Sequence, residues 1–80
     1  MKSDEFKAWL KENTTYSPKV ISDISSRVNR ANKILPWVDE PVYQFMLEQK
    51  EDYQALSCTI RSQIKGAVKL YSQFIHSSAE

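Results

Sequence analysis

The chain has 80 residues, of which 41% are apolar and 26% charged, and its net charge is +1. This is the composition of one small soluble domain, since domains run to about 100–200 residues and a second core has no room. The apolar runs, Phe45-Met46-Leu47 among the longest, fall far short of the ~20 residues a membrane helix needs.

The opening Met1-Lys2-Ser3-Asp4-Glu5 carries acids where a secretory signal would be apolar. Two Trp, four Tyr and three Phe argue against disorder. A single cysteine, Cys58, forms no internal disulfide, and with one histidine, His76, it makes no structural zinc site. No metal or cofactor is expected, and packing alone must hold the fold in a reducing, cytoplasmic setting. One glycine and three prolines leave few hairpin signals, so the expected class is all-α, with no sheet.

Four helices are predicted, near residues 4–13, 18–35, 40–50 and 58–75. The first starts after Ser3 as N-cap, with Asp4 and Glu5 in its opening turn, and presents Phe6, Trp9 and Leu10 on one face. The second has the clearest start: Ser17 caps, and Pro18 takes the first helical position, where its missing N–H costs nothing. Ile21, Ile24, Val28, Ala31 and Leu35 then form an apolar stripe that Pro36 ends.

Asp39 reads as the cap of a third helix, with Glu40 and Pro41 in its first turn. The apolar residues of this helix spread over more than one face, and Glu51 and Asp52 fall in a linker or a frayed last turn. Ser57 caps the fourth, whose stripe is Ile60, Ile64, Ala67, Tyr71 and Phe74, widened by Val68 and Ile75. Gly66 sits in mid-helix, where close approach of a neighbouring helix is the expected reason for it. Residues 76–80 read as a frayed tail. The expected core is Trp9, Leu10, Ile21, Ile24, Val28, Leu35, Met46, Ile60, Ile64, Ala67, Tyr71 and Phe74.

The charge is segregated. Residues 17–35 hold Lys19, Arg27, Arg30 and Lys33 against Asp23, and residues 57–76 hold Arg61, Lys65 and Lys69 with no acid. Residues 36–56 hold Asp39, Glu40, Glu48, Glu51 and Asp52 against Lys50. Helical spacing sets Lys19, Arg30 and Lys33 opposite the apolar stripe of the second helix, with Arg27 on its flank. Arg61, Lys65 and Lys69 form a second stripe beside the core face of the fourth. Clusters of this kind attract phosphate backbones. They can also be ordinary solvated faces, and Lys19, Asp23 and Arg27 have the spacing to pair along the helix.

No catalytic constellation is legible. His76 has no Cys or acid in triad spacing and reads as a solvated terminal residue. Cys58 reads as a small side chain in a first helical turn, and one glycine excludes a phosphate-cradling loop. The neighbouring carboxylates Asp39/Glu40 and Glu51/Asp52 read as helix-end chemistry. The chain is not expected to be an enzyme.

The order of motifs resembles a known family. The aromatic opening Phe6-Lys7-Ala8-Trp9-Leu10 precedes the Ser-Pro-led stretch SPKVISDISSRVNRANKIL, and LSCTIRSQIKGAVKLYSQFI follows. Over about residues 4–75 this is similar to the N-terminal core-binding domain of tyrosine recombinases (phage integrases). That resemblance implies a compact four-helix orthogonal bundle of SAM-like fold, clamping duplex DNA at the recombination core site through its second and fourth helices. The sequence departs from the pattern at Val20, where the family often has Thr, at Ile24, often aromatic, and at Val68, often Arg. The catalytic domain is absent, so Tyr16, Tyr43, Tyr53 and Tyr71 are not nucleophiles. A single domain excised from a longer integrase is the expected origin.

Two readings follow. In the first, Lys19, Arg27, Arg30, Lys33, Arg61, Lys65 and Lys69 touch phosphates of double-stranded DNA, with Ser26, Asn29, Asn32 and Gln63 as candidates for base edges. Other recombinase protomers on DNA would be further partners, and the isolated domain is expected to be monomeric. In the second, a stand-alone helical module binds a protein through an exposed aromatic and acidic surface made by Trp37, Tyr43 and Phe45.

Overall fold

The computed structural model describes residues 2–77, and among these the chain is helical with no strand. It has five helices rather than four: α1 (Ser3–Asn13), α2 (Pro18–Ile34), α3 (Tyr43–Glu48), α4 (Glu51–Gln54) and α5 (Cys58–Ser77). The long pair α2 and α5 forms the main packed interface, and α1 lies across both.

α2 begins as its sequence dictates. The Ser17 hydroxyl accepts the Val20 N–H at 3.3 Å, with Pro18 in the first turn. α5 repeats the device, its cap Ser57 accepting the Ile60 N–H at 3.3 Å. α1 departs from expectation, because Ser3 lies inside the helix and Lys2 stands at the cap position without a side-chain bond. The reason is a tertiary tether: the Lys2 N–H donates to the Tyr71 hydroxyl at 3.2 Å, and the Lys2 carbonyl accepts from Phe6.

The third predicted helix is the main correction. Residues 38–42 make turns instead of a first helical turn, and α3 starts only at Tyr43. Asp39 does not cap it, because its carboxylate lies 2.9 Å from His76 Nε2 at the far end of α5. Lys50 then takes an extended conformation (φ −76°, ψ 136°) and breaks the helix. Glu51 and Asp52, expected in a linker or a frayed last turn, open α4, where their charge favours a helix N-terminus. His76 and Ser77, expected to fray, belong to α5. The rest of the expected tail, 78–80, lies outside the described residues.

The core has two parts. Phe6, Leu10, Ile21, Ile24, Val28, Ala67, Tyr71 and Phe74 join α1, α2 and the second half of α5. Ala31, Tyr43, Leu47, Tyr53, Ile64 and Val68 join α3 and α4 to the long pair. Trp37 packs against both parts, edge-on to Tyr71 and tilted against Tyr43, each ring centroid 4.8 Å away. Of the expected core, Trp9, Leu35, Met46 and Ile60 are only half-buried, and Trp9, Leu35 and Ile60 pack at the rims of the clusters. Phe6, Tyr43, Leu47, Tyr53 and Val68 take the interior places.

Gly66 is exposed, and a Cβ built there meets nothing within 4 Å. Close helix approach is therefore not its reason. The loop between α2 and α3 is held at three points. Asn32 Oδ1 accepts the Trp37 N–H at 2.8 Å, Tyr43 donates its hydroxyl to the Leu35 carbonyl at 2.7 Å, and Asp39 meets His76.

Candidate nucleic-acid interface

The amphipathic pattern of α2 dictates where its basic face goes. With Ile21, Ile24, Val28 and Ala31 turned inward, residues near 26, 30 and 33 must face out. Ser26, Asn29, Arg30 and Lys33 line one shallow surface groove, all four exposed and with no acid among them. Lys19 is exposed in the first turn of α2, and Arg27 is half-buried on its flank. Among the described residues no ion pair joins Asp23 to Lys19 or Arg27, so the spacing that allows pairing is not used.

Asn32 is half-buried and its side-chain oxygen accepts the Trp37 amide, which leaves its NH2 group as the donor it could offer a base edge. Gln63, Ser26 and Asn29 are exposed.

On α5, Lys65 and Lys69 are exposed and Arg61 is half-buried. Here the surroundings differ from what the helix alone suggests. Arg61 and Lys65 line a cleft that also holds Glu48 and Tyr53, while Lys65 and Lys69 line a second groove that also holds Glu40. Acids absent from α5 itself thus arrive from the preceding segment. Local periodicity cannot show this, because it depends on how α3 folds back along α5.

Arg61 has a further attachment. Its carbonyl accepts the Tyr53 hydroxyl at 2.9 Å, and that hydroxyl accepts from Gln44 Nε2 at 3.3 Å. The Nε of Arg61 and the Oε1 of Gln44 are buried without a protein partner. Five of the seven expected basic residues line grooves, Arg30 and Lys33 on α2 and Arg61, Lys65 and Lys69 on α5, while Lys19 and Arg27 line none of these. No single groove joins the α2 pair to the α5 residues.

Comparison with protein-family models, with curated proteins and with solved structures finds no match to this chain.

No three His, Cys, Asp or Glu residues among those described are grouped to hold a metal ion. Cys58 is an exposed free thiol in the first turn of α5. No described helix is long and apolar enough to cross a membrane. The aromatic surface expected around the third helix is also redrawn. Tyr43 is buried and Trp37 half-buried, which leaves Phe45, 65% exposed, with Val42 and Val38.

Proposed function

We propose that this chain is a duplex-DNA-binding helical module, akin to the SAM-like core-binding domain of tyrosine recombinases, and that it meets the phosphate backbone through α2 and α5. The observation that carries this reading is the α2 groove. Arg30 and Lys33 stand exposed beside Ser26 and Asn29, with no lining acid and no ion pair among the described residues. Cations with no internal partner are free to exchange their counterions for phosphates. Short polar side chains between them can donate to backbone or base edges.

The α5 stripe is the weaker half, because Glu40 and Glu48 share its grooves and oppose an approaching phosphate. With so few cations, binding is modest and weakens as salt rises. Fluorescence anisotropy on a labelled duplex tests the reading. Arg30→Glu/Lys33→Glu should lose binding with helicity intact, Lys65→Glu/Lys69→Glu should weaken it less, and Lys50→Glu should change it little. Salt-independent binding, or an Arg30→Glu/Lys33→Glu variant that binds as well as the parent, contradicts it.

A protein-contact reading is favoured by one separate observation, the exposed Phe45 on α3. It predicts the reverse sensitivity, with Phe45 essential and Lys33 indifferent.

A further inference from the structure

Where α1 meets the start of α2, a groove of about 480 Å³ is lined by Ala8, Pro18 and Ile21, by Tyr16, and by Lys7 and Lys11. That volume lies within the range of small-molecule sites. The groove is mostly apolar, its two charged residues are both cations, and no acid lines it. Lys7, Lys11 and Tyr16 are exposed, Tyr16 by 44%. Among the described residues no ion pair engages either lysine. Tyr16 is held in place by its own connection. The Thr14 hydroxyl donates to the Leu10 carbonyl at 2.6 Å and accepts the Tyr16 N–H at 3.4 Å.

This groove continues the face that carries the proposed phosphate contacts. Ser22 lines it, and Ser26, Asn29 and Lys33, which line the α2 groove, follow at intervals of four, three and four residues. Such intervals keep all four on one side of a helix, so Lys33 stands ~16 Å along that side from Ser22. Asp23 is turned about 100° away from Ser22 and lines neither groove. A strand lying on Arg30 and Lys33 thus reaches the α1 groove without meeting a lining acid.

A phosphate alone needs cations and has no use for an apolar wall. A nucleotide uses both, because its base stacks on aromatic side chains while its phosphate is anionic. A base inside a duplex is already stacked and out of reach, so the occupant must be unpaired. We infer that this groove seats an unpaired nucleotide of the bound nucleic acid, with Tyr16 against its base and Lys7 and Lys11 on its phosphates. The inference rests on the DNA-binding reading and deepens it: the favoured ligand is a duplex that ends or opens into a single strand.

Fluorescence anisotropy on three labelled duplexes tests it: one blunt, one extended by a few unpaired thymidines, one extended by as many abasic units of equal charge. The parent should bind the thymidine form at least about fivefold more tightly than the abasic one, the lower end of what stacking one base supplies. Tyr16→Ala should erase that difference, with blunt-duplex affinity and thermal melt unchanged. Lys7→Glu/Lys11→Glu should weaken both extended forms more than the blunt one, while Arg30→Glu/Lys33→Glu should weaken all three. Equal binding of the thymidine and abasic forms, or a Tyr16→Ala protein that keeps the preference, overturns the inference and leaves the duplex reading standing. If no duplex binds, the duplex reading fails, and oligothymidine alone decides the groove. Amide shifts at Lys7, Tyr16 and Ser22 then uphold it, and their absence, or shifts only with an acidic aromatic peptide, overturns it.

Discussion

The Tyr43 hydroxyl donates to the Leu35 carbonyl at 2.7 Å, joining the first residue of α3 to the residue that ends α2. The bond closes the loop that carries Trp37 between the two halves of the core. It also makes Tyr43 a buried donor whose proton the fold needs. Burial pushes the Tyr43 phenol up from 10.0 to about 12.

The direction of that shift fixes the pH window. The unfolded chain loses the Tyr43 proton near pH 10, whereas the folded protein keeps it until about pH 12. The contribution of Tyr43 is therefore complete below pH 10 and is lost as pH climbs through that interval. About 2–3 kcal/mol is at stake, at 1.36 kcal/mol for each unit. Tyr43→Phe should cost roughly 0.5–1.5 kcal/mol at neutral pH. It should also flatten the alkaline loss of stability, as denaturant melts at stepped pH will show. Equal slopes for parent and variant would mean that Tyr43 is not the group responsible.

Two substitutions should stabilise. Gly66→Ala adds a methyl group into open space on an exposed helix face and gains about 0.8–1.0 kcal/mol of helix propensity. In a domain of this size that raises the melting temperature by roughly 4–8 °C. Ser25 is 1% exposed on the core face of α2, and its hydroxyl has no partner. Ser25→Ala removes a buried unsatisfied group and should gain about 1 kcal/mol. Melts below the parent's would show that Gly66 or the Ser25 hydroxyl makes a contact this fold does not contain.

Ile64 and Phe6 are fully buried, one in each half of the core. Ile64→Ala should cost about 2–5 kcal/mol and Phe6→Ala about 3–5, from lost transfer energy plus a cavity. A domain this small has little stability in reserve, so either loss should be plain in a thermal melt. An unchanged midpoint for Ile64→Ala would contradict the inward face of α5.

The long helices were legible because each carries a complete local code. Ser17-Pro18 and Ser57 set their starts, and their stripes run over several turns. The region between them was not. Asp39-Glu40-Pro41 imitates a helix start, yet Asp39 is drawn to His76, a partner 37 positions away. Tyr43 and Tyr53 look like surface residues in a short acidic segment, but both are buried because their hydroxyls find the Leu35 and Arg61 carbonyls. The basic residues were readable as two faces from periodicity. Their acidic neighbours Glu40 and Glu48 were not, since only the fold brings these to α5. Asn32, legible as a polar residue near the basic face, also gives its side-chain oxygen to the Trp37 amide, a bond that no local pattern announces.

The central claim is tested most directly by mapping backbone amide chemical shifts as a short DNA duplex is added to the isotope-labelled chain. The account predicts that perturbations gather on α2 around Ser26, Asn29, Arg30 and Lys33, with a weaker set on α5 around Lys65 and Lys69. Raised salt should diminish them together. Perturbations confined to α3 around Phe45, or none at a concentration where other duplex-binding domains are saturated, would contradict it.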